Sequence, residues 1–265
     1  MNEGLIFRPS VNWIGGIPMK KRLFRYGGSW LFILPSVVLT AVLVIYPIAW
    51  AMRYMFYDYP GYGEEIFIGL ENFSRLFRDE LYWSSVKNTF VYGAGKLVLT
   101  IPLSLILAVL LNRKIRGRHL FRAIYFMPTV IRTAVISIVF YVIFNSYNGI
   151  LNQLLMRFQL ISGPIEWLGP NLAMLTVILV AVWGAVGNYM LLFLAGLQGI
   201  PDEVYESASL DGATGLQKFW YITVPMLGPI LQMIIMLAII NSLKGYESIM
   251  ILTEGGPIGK TEVMY

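Results

Sequence analysis

Long apolar blocks separated by short polar intervals set the rhythm of this 265-residue chain. Uncharged runs cover Trp30–Met52, Leu97–Asn112, Trp167–Pro201 and Phe219–Leu243. Each is near or above the roughly 17–25 residues that cross a hydrocarbon core as helix. The pattern predicts spans over Trp30–Met52, Asn88–Leu111 and Ala123–Tyr147, a fourth within Asn171–Gln198, and a fifth over about Tyr221–Leu243. Pro35 and Pro47 are expected to bend or interrupt the first. Arg53–Lys87 and Asn148–Asn171 read as loops. Gly184, Gly187 and Gly196 would allow close helix contact in the fourth span. The expected fold class is an all-α polytopic membrane protein with about five transmembrane helices and one short helix outside them.

That short helix lies in Ile200–Pro225, the one long polar interval in the second half of the chain. Pro201 suits a first helical position, where its missing N–H costs nothing. Asp202 and Glu203 would sit at the positive end of the helix dipole. The helix should run to Asp211 and stop at Gly212, which tolerates a left-handed C′ conformation. Thr214 with Gln217 forms a capping-box pattern that starts a second helix leading into apolar sequence.

Composition agrees with the pattern. Charged residues are 13% and apolar residues 57%, against about 25% charged in soluble domains. Mean hydropathy is +0.66. With no cysteine and one histidine, His119, thiolate chemistry is excluded and a metal cluster has too few ligands. Gly93-Ala94-Gly95-Lys96 lacks both the leading glycine and the following Ser/Thr of a phosphate loop, so no nucleotide site is read there. Two residues put charge in or beside the predicted spans. Lys96 either snorkels to an interface or lines a pathway, and Arg132 either pairs structurally or serves function.

Charge distribution gives a topology. The net charge of +5 belongs beside spans rather than to a nucleic-acid surface. The leader 1–29 carries Arg8, Lys20, Lys21, Arg22 and Arg25, and Asn112–Arg122 carries Arg113, Lys114, Arg116, Arg118 and Arg122. The loop after the third span holds only Arg157. The positive-inside rule thus puts the N-terminus and Asn112–Arg122 in the cytoplasm, and by parity Ile200–Phe219 as well. Yet that last interval is acidic, with Lys218 against Asp202, Glu203, Glu206 and Asp211. It is either a solvated interfacial helix or a rigid lever gripped by a soluble partner.

Residue order favours the second reading. Glu206-Ser207-Ala208, three residues, Gly212, nine residues, then Ile222-Thr223-Val224-Pro225 resembles the cytoplasmic EAA loop of binding-protein-dependent ABC importer permeases, with Ser207 for Ala and Val224 for Leu. Leu197-Gln198-Gly199-Ile200-Pro201 and Leu210-Asp211-Gly212-Ala213 resemble the same proteins. Phe121-Arg122 through Met127-Pro128, Lys244-Gly245-Tyr246-Glu247, and Leu252-Thr253-Glu254-Gly255-Gly256-Pro257 with Thr261 resemble the carbohydrate-uptake branch, with Tyr246-Glu247 for Phe-Asp. The resemblance covers about Val86–Tyr265.

It implies a type 1 transmembrane domain over 86–265 with coupling loop 200–225, preceded by the leader 1–29 and by a first span with its extracytoplasmic loop over 30–85. It also implies partners: a second homologous permease in a heterodimer, two cytoplasmic ABC ATPases, an extracytoplasmic solute-binding protein and membrane lipid, but no nucleic acid. ATP and Mg would sit on the ATPases, leaving this chain without a cofactor or catalytic residues. By matched position Glu206, Ser207, Ala208 and Gly212 would make the ATPase contact, with Asp211, Ala213, Ile222 and Pro225 beside them. The family has a sixth span after the Gly-Gly-Pro segment, so a truncated or partial chain is expected. The expected setting is a bacterial or archaeal cell membrane.

For the solute, polar residues on inner spans are the candidates: Asn188, Tyr189, Gln232 and Asn241. Each is equally readable as an interhelical hydrogen-bonder. The alternatives are an ABC permease for a non-carbohydrate solute and, from a different class, an ion-coupled secondary transporter or channel. No predicted span holds the Asp or Glu that ion coupling would use. A membrane-embedded enzyme would need paired catalytic groups, which one histidine and no cysteine do not supply.

Overall fold

A computed structural model describes residues 31–113, 115–257 and 259–264. The basic leader, Trp30 and Lys114 lie outside them. The chain divides into two compact units, Met1–Arg78 and Asp79–Tyr265.

In the first unit helix α1, Leu31–Phe56, runs unbroken past both prolines. A π turn at Ala41–Ile45 ends two residues before Pro47, and the Tyr46 N–H reaches the Ala41 carbonyl. Widening the turn by one residue accommodates the ring and the missing donor of Pro47 without breaking the helix. The stretch read as a loop is partly regular. Strands β1, Tyr57–Asp58, and β2, Ile66–Phe67, pair antiparallel with Tyr57 opposite Phe67. Helix α2 follows at Glu71–Arg78. Asn72 Nδ2 donates to the carbonyls of Met55 (3.1 Å) and Tyr57 (3.0 Å), and Arg53 pairs with Glu65 at 2.6 Å. These bonds substitute for the hydrophobic core that so short a hairpin lacks.

The second unit opens on α3, Glu80–Asn112, which starts eight residues before the predicted span. Its N-cap is Asp79, whose carboxylate accepts from the Leu81 N–H at 2.8 Å. Arg122, a loop charge in the sequence pattern, donates to the Leu111 carbonyl at 2.9 Å and so closes the C-terminal end of α3. The central element is α7, Ala173–Gln198. It is uncharged on every side, and such a helix must be covered all round. Its main neighbour is α3, and α4, Arg118–Val130, lies along another side.

The glycines show how closely these helices approach. A Cβ on Gly187 would collide with the Tyr125 carbonyl, a backbone-to-backbone contact between α7 and α4. On Gly95 it would meet Ile178 at 2.7 Å, so that glycine serves α3–α7 packing. Gly196 faces Ile230 and Leu227 side chains, whereas Gly184 has ordinary room.

Two predicted spans are bent. The third is α4 and α5, Thr133–Ile143, meeting at 98°. Ile131 and Arg132 are extended at the join. Pro128 removes one helical bond, and Thr129, Val130, Ile131 and Thr133 are all β-branched, so the helix fails at its weakest run. Arg132 therefore stands exposed at the join as the N-cap of α5 rather than within a continuous helix. Asn148–Asn171 contains a helix, α6, Ile150–Arg157, organised by the wholly buried Asn152.

After α7 come α8, Asp202–Leu210, then α9, Gly215–Met226, and α10, Gly228–Leu243. The last two form the fifth span, bent by 69° at Leu227 and beginning before the predicted Tyr221. Helix α11, Tyr246–Thr253, packs on α5 and α7. Among the described residues three helices are long and apolar enough to cross a membrane, or up to five spans if each bent pair counts as one.

Candidate functional site

Two features stand out in the second unit, the exposed α8 turn and a polar cavity among the helices.

At α8, Pro201 is the N-cap, with extended ψ of 136°, one position earlier than expected. The fixed φ of proline suits either place; the Val204 N–H turns back to the Pro201 carbonyl at 3.2 Å, and the acidic Asp202 and Glu203 occupy the first turn without a side-chain cap. The C-terminus is a Schellman turn. The Ala213 N–H reaches the Ala208 carbonyl at 2.9 Å and the Gly212 N–H reaches Ser209 at 3.1 Å, with Gly212 at φ +79°. The four-residue spacing from Ala208 to Gly212 is thus the spacing of C3 to C′. Thr214 and Gln217 form the expected reciprocal capping box.

The distal end of the motif has a second π turn, Phe219–Thr223, ending at Val224 just before Pro225. It repeats the arrangement ahead of Pro47. Thr223 Oγ1 donates to the Lys218 carbonyl at 3.2 Å and lies 3.0 Å from Tyr205 Oη. The threonine proton is committed to Lys218, so the Tyr205 phenol donates to Thr223. Lys218 Nζ in turn donates to Ser209 Oγ. Helix α8 is thereby fastened to the start of the fifth span.

Glu206, Ser207, Asp211, Gly212 and Pro225 are exposed, and Ala208, Ala213 and Ile222 are half-buried. Around them Leu210 is 90% exposed and Tyr221 80%, with Leu216 and Trp220 also open.

The cavity, of about 320 Å³, lies where two apolar clusters meet. Its walls include Tyr92 and Lys96 of α3, the α4–α5 join, Asn188 and Tyr189 of α7, and Asn241 of α10. Three of the four solute candidates therefore share one space. Gln232 does not line it and points outward, exposed. Tyr189 is 3% exposed, and its hydroxyl accepts from Asn241 Nδ2 at 3.2 Å, so two of the candidates are bonded to each other. Asn188 lies ten residues, about 15 Å, before the C-terminal end of α7. Tyr205, Thr223 and Ser137 were not anticipated. Thr223 occupies a variable position of the sequence pattern, and nothing local marks the other two.

The family model described as the binding-protein-dependent transport system inner membrane component matches residues 100–263. The chain belongs to this family. Among its relatives, a probable ABC transporter permease, YurN of Bacillus subtilis (strain 168), is 34% identical over 89% of this chain and 82% of its own length. The lactose transport system permease LacF of Rhizobium radiobacter is 33% identical over 91% and 81%. The trehalose/maltose transport system permease MalF of Thermococcus litoralis (strain ATCC 51850 / DSM 5473 / JCM 8560 / NS-C) is 32% identical over 88% and 79%. The fold is shared with a bacterial ABC transporter involved in import of the acidic polysaccharide alginate, at TM-score 0.79 and 22% identity over 92% of this chain and 82% of that one. Within this family the matched region contains both the α8 turn and most of the cavity lining.

Proposed function

We propose that this chain is a membrane subunit of an ATP-driven importer for a sugar, oligosaccharide or polyol. In this reading α8 is the coupling helix, gripped by a cytoplasmic ATPase whose closure moves the spans and switches access to the cavity. The observation that carries it is the construction of α8. It is exposed, closed at its C-terminus by the Schellman turn, followed at once by a capping box that starts the next helix, and joined to the next span by the Tyr205–Thr223 bond. A flexible loop would absorb a partner's displacement, whereas a capped helix tied to its neighbour passes it on.

The carbohydrate class draws its support from the relatives whose names specify lactose and trehalose/maltose. The basic leader and the basic Asn112–Arg122 loop favour a cytoplasmic N-terminus and α8. A second permease, two ATPases carrying ATP and Mg, and a solute-binding protein complete the assembly. Asn188, Tyr189 and Asn241 would contact solute in the cavity. Gln232 is kept as a contact only for a face turned toward the second permease.

The test is substrate-stimulated ATP hydrolysis and uptake in vesicles holding the whole complex, comparing wild type with Gly212→Asp and Glu206→Lys. Both variants should insert and assemble but lose stimulated turnover. Normal uptake by both in vesicles without any ATPase would sink the reading and favour ion coupling.

A further inference from the structure

Lys96 places an ammonium group, half-buried, on the wall of the cavity. Its surroundings satisfy it poorly. Nζ donates to the Asn241 carbonyl at a long 3.4 Å, and the centroid of the Tyr92 ring is 5.8 Å away, near the outer limit of a cation–π contact. Among the described residues it joins no ion pair, although Glu247 lines the same cavity. An ammonium has three donors, so at least two remain for something else. A charge held among apolar helices without a counter-ion is costly, and such residues face cavities and serve function.

A second group faces the same lack. Ser137 of α5 is wholly buried in the cavity wall, and its hydroxyl has no hydrogen-bond partner among the described residues. Buried hydroxyls are nearly always satisfied, so an orphan beside a cavity points to a missing acceptor or donor there. Lys244 adds a further positive charge to the lining, leaving two cations against the one carboxylate of Glu247.

We propose that the cavity receives an anionic solute and that Lys96 holds its acidic group, a carboxylate or phosphate ester on the carbohydrate. The inference rests on the importer reading and narrows its substrate class. A lysine suits this task because it is a compact point charge with rotatable donors. The solute would supply the counter-ion that the protein withholds, so a neutral analogue leaves the ammonium uncompensated and is disfavoured.

The experiment uses the complete transporter with its binding protein in vesicles and two matched pairs of probes. Cellobiouronic acid against cellobiose tests a carboxylate, and sn-glycerol 3-phosphate against glycerol tests a phosphate. Wild type should favour the acidic member of one pair, and which pair identifies the acid. Lys96→Gln should raise the KM for that member about tenfold or more and should lower, not raise, the KM of its neutral counterpart. Lys96→Arg should restore part of the preference.

Equal uptake of acidic and neutral members by wild type overturns the inference, as does a Lys96→Gln effect of the same size on both. If Lys96→Gln and Lys96→Arg both fail to assemble, the lysine is a structural group and the inference falls. Should no probe stimulate ATP hydrolysis in wild type, while a panel of non-carbohydrate solutes does, the carbohydrate reading fails instead.

Discussion

The Tyr205 phenol stands 3.0 Å from the Thr223 hydroxyl, eighteen residues further along the chain. One residue belongs to the exposed helix α8 and the other to the π turn in the first half of the fifth span. In Tyr205→Phe the donor is lost and the ring keeps its place, at a cost of about 1 kcal/mol. The assembled complex should hydrolyse ATP at its basal rate with weaker stimulation by solute. Thr223→Val should do the same, and the double variant should be no worse than either single one. Additive losses would show that the two residues act separately.

A Cβ added at Gly212 would meet no atom within 4 Å, so space is not what requires glycine there. The requirement comes from its φ of +79°. Gly212→Ala should cost about 1 kcal/mol through the backbone, while Gly212→Asn, which tolerates this region, should cost less. Amide exchange at Gly212 and Ala213 would rank the two. Equal protection in both variants would contradict the Schellman turn as the reason for the residue.

Gly187 and Gly184 lie one turn apart on α7 and make opposite predictions. Gly187→Ala drives a methyl into the Tyr125 backbone and should sharply reduce the yield of folded protein in detergent. Gly184→Ala finds Ile136 Cδ1 at 3.5 Å and should be recovered at close to wild-type yield. Size-exclusion profiles of the two would settle whether α4 and α7 touch at this point.

Asn152 satisfies all its amide groups at once. Nδ2 donates to Ser146 and Ile165 carbonyls, and Oδ1 accepts from the Ile165 N–H and Trp167 Nε1. Asn152→Ala leaves four partners stranded in a buried site and should destabilise the segment by about 3 kcal/mol. Faster proteolysis within 158–172 and a red-shifted tryptophan emission are the expected readouts. Unchanged protease resistance would mean that water replaces the amide.

Short-range chemistry was enough to read much of this protein from its residues. Runs of uncharged residues required membrane helices, because the backbone has no other way to satisfy itself in lipid. Asp202, Gly212, Thr214 and Gln217 marked the ends of α8 and α9, because caps act within a turn of the residue that makes them. The α8 motif could be recognised because its spacing is that of the C-terminal turn itself.

Tertiary structure alone decided what depends on residues far apart in the chain. Hydropathy made Ala123–Tyr147 one span, yet the bend at Ile131-Arg132 arises where a weak helical run meets α7 packed close through Gly187. The helix inside Asn148–Asn171 forms around Asn152, whose partners lie as much as fifteen residues away. Lys96, Asn188, Tyr189 and Asn241 came together, and Gln232 stayed outside, because helix rotation is set by whole packed faces. A polar residue on a span carries no local mark of the direction it faces, so the cavity belonged to the fold and not to any one stretch of sequence.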